Sequence, residues 1–227
     1  MSMSDFQKIT YQYKYNTRCT RCIMDDTVKG ISFDNNGVCT FCHMHDELET
    51  KFPLNESTEN ELHKIVNKIK TDGKGKAYDC IVGISGGKDS SYTLVKVAEL
   101  GLRPLVVHFD NGWNSEIAVQ NIKNICSKLD FHLYTLVADW EEFKDLQRSF
   151  LFASVPEGEV PTDFVITSLL TKMAVKEKVK YVIPGSSFRT EGTTPLSWTY
   201  QDPKYINSIH RIFGSKKIKS FPIMTTM

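Results

Sequence analysis

The chain has 227 residues, with 28 basic and 27 acidic side chains and a formal net charge of +1. That balance gives no global field for attracting nucleic acid and leaves only a local patch such as Lys216-Lys217-Ile218-Lys219. No apolar run is long enough to span a bilayer, and the first residues lack the apolar stretch of a signal peptide, so a cytoplasmic protein without membrane insertion is expected. The length suffices for a full core and a small appended module.

The first predicted element is that module, over residues 1–46. Cys19-Thr20-Arg21-Cys22 and Cys39-Thr40-Phe41-Cys42 are two C-x-x-C pairs separated by 16 residues, a spacing within the range of four-thiolate zinc sites. Each pair can place two thiolates on one metal, and the segment between them predicts a hairpin turning at Asp34-Asn35-Asn36-Gly37. Four cysteines would leave zinc no open position, so its role would be structural. An iron–sulfur cluster suits the same thiolates and is the rival. His43 and His45 follow closely but are unnecessary beside a complete cysteine set.

Residues 47–76 are polar and charged and read as a helical linker. Around Glu61–Ile69, Ile65, Val66 and Ile69 fall at helical spacing and predict one packed face. Thr71-Asp72-Gly73-Lys74-Gly75 then breaks the helix. From 77 to 227 strands and helices alternate. Strands are predicted over Cys80–Ile84, Pro104–Phe109, His132–Val137 and Tyr181–Pro184, with a fifth over Ile218–Ile223. Helices are predicted over Ser90–Leu100, stopped by Gly101, then Glu116–Leu129, Trp140–Phe150 and Asp163–Lys178, the last capped by Thr162 or Asp163. In the second of these, Ile117, Val119, Ile122 and Ile125 are expected to face inward. Such alternation of apolar strands with helices predicts an α/β fold, a doubly wound parallel sheet carrying the small four-cysteine module. Cys80 and Cys126 stand alone and read as small buried hydrophobes.

Ligands of such sheets bind outside the carboxyl ends of the strands. The first strand ends in Ile84-Ser85-Gly86-Gly87-Lys88-Asp89-Ser90. A strand entering a helix through a glycine turn aims backbone N–H groups, helped by the helix dipole, at one anion. Lys88 adds a cation, the serines add donors, and Asp89 makes sense beside phosphates as a Mg²⁺ ligand. A Walker loop would need Ser or Thr after Lys88, and a G-x-G-x-x-G fingerprint is absent. A serine- and glycine-rich turn capping a buried helix is the bland alternative. The second strand ends at Phe109-Asp110-Asn111-Gly112, where Asp110 is a candidate for Mg²⁺ or ribose and Phe109 for adenine, with a plain turn as the rival for Asn111-Gly112. The fourth ends at Gly185-Ser186-Ser187-Phe188-Arg189-Thr190-Glu191-Gly192, where Arg189 is a candidate clamp for a phosphate or sugar carboxylate and Glu191 a candidate base or metal ligand. A surface salt bridge between these two is the alternative.

The loop resembles the PP-loop of the N-type ATP pyrophosphatases, which cleave ATP to AMP and pyrophosphate. The stretches Arg18-Cys19-Thr20-Arg21-Cys22-Ile23-Met24-Asp25, Gly30–Asp34 and Gly37-Val38-Cys39-Thr40-Phe41-Cys42, with Ile81–Ser85 and Arg189–Gly192, are similar to the N-acetyl sugar amidotransferases of bacterial surface-polysaccharide and lipopolysaccharide biosynthesis. That resemblance covers essentially the whole chain and implies an ATP-dependent enzyme turning an acetamido group into an acetamidino group. It implies ammonia from a partner glutaminase, a nucleotide-linked N-acetyl sugar as substrate, and ATP, Mg²⁺ and Zn²⁺ as cofactors; a homodimer is left open. Catalysis would fall to Lys88, Asp89, Asp110, Arg189 and Glu191. ATP would bind Ile84, Ser85, Gly86, Gly87, Lys88, Asp89, Ser90, Phe109, Gly185 and Ser186, and zinc Cys19, Cys22, Cys39 and Cys42. Members of the family usually extend well beyond a fifth strand, whereas this sequence stops shortly after Phe221-Pro222-Ile223-Met224. A PP-loop tRNA-thiolating enzyme and a non-catalytic ATP-binding subunit are the alternatives.

Overall fold

Residues 14–222 are described in a computed structural model of the chain. Four strands, β1 (Cys80–Gly83), β2 (Pro104–Asp110), β3 (Leu133–Val137) and β4 (Val182–Ile183), form one sheet in the order β3-β2-β1-β4. Every neighbouring pair is parallel, as the alternation of elements predicted. Alternation along β1 and β2 then decides which helices cover which face. Cys80, Val82 and Val106 pack with Leu94 and Val97 of α3 (Lys88–Glu99) and Ile122 and Cys126 of α4 (Glu116–Leu129). Ile81, Leu105, Val107 and Phe109 pack instead with Phe143 of α5 (Trp140–Ala153) and with Val165, Leu169 and Met173 of α6 (Val160–Lys176). The sheet is doubly wound. Because β2 and β4 flank β1 on opposite sides, the strand order reverses there and a cleft opens beyond the carboxyl ends of β1 and β4.

The linker holds α2 (Glu56–Asp72), longer than expected, with Asn55 and Thr58 closing a reciprocal capping box. Val66 and Ile69 join the α3/α4 face of the core, but Ile65 is 53% exposed, one position off the buried stripe. The same error of face applies in α4, where Ile122 is buried and Ile117 is 74% exposed. Helix α6 starts at Val160, before the expected caps Thr162 and Asp163. Pro161 sits in its first turn, where a missing N–H costs nothing.

Near the N-terminus, antiparallel bridges Arg18↔Asp25 and Phe33↔Cys39 bracket the cysteine segment. Asp34 Oδ1 accepts from the amides of Asn36 and Val38 at 2.8 and 2.9 Å, which makes the expected turn. The second cysteine pair is not followed by a loop: Cys39 is the N-cap of α1 (Thr40–Lys51), which runs through residue 46 without a break.

Besides α1, two helices escaped the sequence pattern, the four-residue α7 (Phe188–Glu191) and α8 (Pro203–Phe213). Ile206 of α8 is fully buried against Leu146 and Phe150 of α5 and Phe164 of α6. The fifth strand is not present among the described residues, and Ile223, its expected last residue, lies outside them. The amides that a strand would have paired go to one carboxylate: Lys219, Ser220 and Phe221 donate to Glu142 of α5 at 2.6–3.0 Å. One turn later Asp145 accepts from Ser215 N and Oγ, from Lys216 N and from His210 Nε2. Both acids are buried, at 7% and 6% exposure.

Burial pushes the Glu142 carboxyl up, but the Ser220, Phe221 and Lys219 amides and the Ser220 hydroxyl outweigh it and hold its pKa below the ordinary value. Burial acts the same way on Asp145, and the Ser215 hydroxyl, the Lys216 and Ser215 amides and His210 lower it far more. Folded values below unfolded ones mean stability present in full above the unfolded pKa, about 4, and lost as pH falls through the folded values. Unfolding midpoints should therefore drop on acidification below about pH 4, and Asp145→Asn should flatten that acid limb while costing about 1–3 kcal/mol at neutral pH. Denaturant melts across pH would check both; an unchanged acid limb in the variant would remove Asp145 from the account.

Candidate functional site

The phosphate-type loop is shaped by two close approaches. Gly86 takes φ of +79°, and a Cβ there would stand 2.3 Å from the Ala118 carbonyl at the start of α4. Its own carbonyl accepts from Asn121 Nδ2 at 3.2 Å, which ties the loop to α4. Gly185, after β4, lies against Ser90 in the first turn of α3, where a Cβ would meet the Ser90 Cα at 2.8 Å. The loop's hydroxyls brace each other, Ser85 Oγ and Ser90 Oγ being 3.1 Å apart. Gly87 is the N-cap of α3 and brings no side chain to cap it. The first amides of a 12-residue helix therefore face the cleft with the positive end of the dipole. Among the described residues neither the Lys88 ammonium nor the Asp89 carboxylate has a side-chain hydrogen bond or ion pair. This is an anion cradle with one movable cation and one movable acid.

The cleft it faces has a volume of about 530 Å³. It is lined by Ile84, Ser85, Gly87, Lys88, Asp89 and Ser90, and by Phe109, Gly185, Ser186 and Glu191, so most of the expected residues share one cavity. Gly86 lies behind the loop and shapes it. Asp110 does not line the cavity; its Oδ1 accepts from Gly112 N at 3.0 Å and Asn114 Nδ2 at 3.1 Å, holding the loop from which Asn111 and Asn114 reach the cleft. Arg189 does not line it either. Its Nη2 donates to the Phe52 carbonyl at 2.7 Å and its Nε stands 3.6 Å from Glu49, so its partners are on α1 and not on Glu191.

Sequence reading missed the apolar wall, which comes from Ile166, Leu169 and Leu170 of α6 opposite the loop. It also passed over His108, buried on β2, whose Nδ1 lies 2.9 Å from the Ile84 carbonyl. That carbonyl can only accept, so Nδ1 carries the hydrogen and the buried Nε2 is left without a partner. A histidine inside an otherwise apolar strand was the available signal. Next in the chain to Thr162, which lines the cleft, burial and then the charges of Glu157, Glu159 and Glu191 push the Asp163 carboxyl above its ordinary pKa. The cleft's charged lining is thus Lys88 and Asp89 on the loop and Glu191 on α7.

The four N-terminal cysteines converge. Cys19 and Cys42 sulfurs are 3.8 Å apart, those of Cys22 and Cys39 3.7 Å, and all four lie within 4.8 Å of one another. Four thiolates at roughly 2.3 Å around one tetrahedral ion would be separated by roughly 3.8 Å, so the set fits a single metal. Burial raises Cys19, but the Arg21, Cys22 and Cys39 amides prevail and bring it down to about 6, a thiolate at neutral pH. His43 is not in the set; it pairs with Asp34 at 3.0 Å.

No family model matches the chain. It is 29% identical over 175 residues to an uncharacterised protein of Methanocaldococcus jannaschii, covering 74% of this chain, and it spans 58% of that relative's length. Over 71 residues it is 34% identical to a tRNA(Ile)-lysidine synthase of Chlamydia pneumoniae, 30% of this chain and 22% of the relative. Among solved structures the NH3-dependent NAD synthetase of Campylobacter jejuni is similar at a TM-score of 0.42 and 16% identity, over 66% of this chain and 73% of that one.

Metal analysis of the full chain should return about one ion per chain with four sulfur ligands near 2.3 Å by X-ray absorption, and Cys42→Ser should lose most of it. Inorganic sulfide in an anaerobic preparation would contradict a mononuclear site. Gly185→Ala, by forcing β4 away from Ser90, should cost about 1–3 kcal/mol. A neutral result in thermal melts would mean the loop yields freely.

Proposed function

We propose that the cleft binds Mg·ATP, with its phosphates on Ser85–Ser90 and its base against the α6 wall, and cleaves it to AMP and pyrophosphate. The observation that carries this reading is the uncapped N-terminus of α3, presented with Lys88 and Asp89 at the switch point of the sheet. Asp89 would hold Mg²⁺, which supplies charge neutralisation on the pyrophosphate as it leaves. Zinc would occupy the four thiolates, whose spacing supports one tetrahedral ion.

The acceptor in this reading is the acetamido group of a nucleotide-linked N-acetyl sugar, in glycan or lipopolysaccharide biosynthesis. An amide oxygen is a poor leaving group. Its attack on the α-phosphorus expels pyrophosphate and makes it a good one; ammonia then adds to the former carbonyl carbon, AMP departs and an amidine remains. One proton leaves the attacking nitrogen as the amidinium forms, and Glu191, which lines the cleft, would accept it. The chain's contribution is positioning and electrostatics, with no covalent nucleophile. Ammonia would come from a separate glutaminase.

A thiolating enzyme would need a cysteine in the cleft. Cys80 is fully buried between sheet and helices, and burial pushes its thiol up to about 12. Cys126 is buried on the same face, and burial raises it as well. Neither lines the cavity, which supports the amide reading over thiolation.

Supplied with ATP, Mg²⁺, ammonium and a nucleotide-linked diacetamido sugar, the protein should form AMP, pyrophosphate and an amidine product in equal amounts. Lys88→Ala and Asp89→Ala should each lower the rate by at least about 100-fold. ADP and phosphate as products would refute the loop assignment. ATP binding without any cleavage would favour a non-catalytic subunit.

A further inference from the structure

Arg189 has the chemistry of a phosphate clamp but is employed elsewhere, and its partners form a pattern. Thr193 Oγ1 donates to the Phe41 carbonyl at 2.8 Å. The Phe188 ring meets the His45 ring edge-on, with centroids 5.5 Å apart. Arg189 Nε stands 3.6 Å from Glu49, and its Nη2 donates to the Phe52 carbonyl at 2.7 Å while its guanidinium stacks on Phe188 at 4.6 Å. Positions 41, 45, 49 and 52 recur every three or four residues and so share one face of α1. The segment 188–193 is therefore fastened along the whole length of that helix. Arg189 closes it at the carboxyl end, where a free carbonyl and the negative end of the dipole both favour a cation.

The other end of α1 is fixed by the cysteine cluster. Cys39 caps it and Cys42 lies in its first turn, while Arg21 makes a paired contact with Asp46 on the next. On the far side, α7 has only four residues, too few to hold a helical turn unaided, and Gly192 beyond it takes φ of +75°. Yet α7 carries Glu191 into the cleft.

We infer that Arg189 is a positioning residue: it latches the Glu191 wall of the cleft to α1, which acts as a brace between the four-thiolate site and the nucleotide. The inference rests on the proposed ATP reading only for its kinetic consequence. A brace of this kind explains why a metal module distant in sequence sits beside a cleft to which it contributes no lining residue.

The test uses the full metal-loaded chain. Hydrogen–deuterium exchange at residues 187–193 should accelerate roughly tenfold in Arg189→Ala, the loss of about one strong hydrogen bond, with α4 unchanged. Arg189→Lys, which keeps a donor and a charge for Phe52 and Glu49, should restore most of the protection. Thr193→Val, a milder variant that leaves Arg189 in place, should show the same effect at smaller size. Stripping the metal with a chelator should loosen 187–193 as well. In AMP formation, Arg189→Ala should lower kcat by about 10–100-fold with the KM for ATP within about threefold, since geometry and not nucleotide affinity is lost. Unchanged exchange at 187–193 in Arg189→Ala or after metal removal would overturn the brace. So would a large rise in KM that Arg189→Lys fails to repair, which is the signature of a direct phosphate clamp. If the wild-type chain forms no AMP, the ATP reading fails, and the exchange data alone decide the brace.

Discussion

The first turn of α3 sits where three backbones crowd together, and the geometry of the cleft follows from that crowding. Gly86 lies against the Ala118 carbonyl and Gly185 against the Ser90 backbone, each at a distance no side chain tolerates. These contacts hold α3 between the start of α4 and the end of β4, so its free amides converge on one spot. Interactions of this kind add little to stability, but they remove alternatives: the loop cannot relax toward α4 or β4 without collision. Lys88 and Asp89, unlike the glycines, remain free to move, and they are the groups that would have to follow a changing charge.

A second constraint operates at the far end of the chain. Glu142 and Asp145, one turn apart on α5, gather the amides of residues 215–221 that a sheet would otherwise have used. A buried carboxylate surrounded by several N–H donors keeps its charge because those donors outweigh the desolvation. The apolar residues of this stretch, Ile218 and Phe221, still reach the core, packing beside Ile206 and Phe150. Ile218–Ile223 reads as a strand because its composition reports burial alone. The destination of its hydrogen bonds depends on two acids 70–79 residues upstream, and no local pattern records that.

The same distinction explains what was legible in the site. The loop could be read because its geometry is local: a buried strand, two glycines, a lysine and a helix start lie within about eleven residues. The cysteine pairs were legible for a similar reason, since metal geometry restricts spacing. The α6 wall was not, because Ile166, Leu169 and Leu170 look like ordinary core residues until the topology sets them across from β1. Asp110 was placed on the right strand end but turned inward on its own loop. Arg189 shows the limit most plainly. A guanidinium serves an anionic ligand and a helix C-terminus equally well, and nothing near residue 189 announces a carbonyl at residue 52.

The charged lining of the cleft follows from these placements. Its loop offers amides, a helix dipole and the Lys88–Asp89 pair, and α7 brings Glu191. Under the proposed chemistry these groups would serve different steps. Pyrophosphate would be held by the loop amides and Lys88, and the proton released by the attacking ammonia would go to Glu191. The two are supported separately, the loop by the glycine contacts around α3 and Glu191 by α7 and its fastening to α1. Under that chemistry a disturbance of the cysteine module would reach proton transfer before it reached phosphate binding.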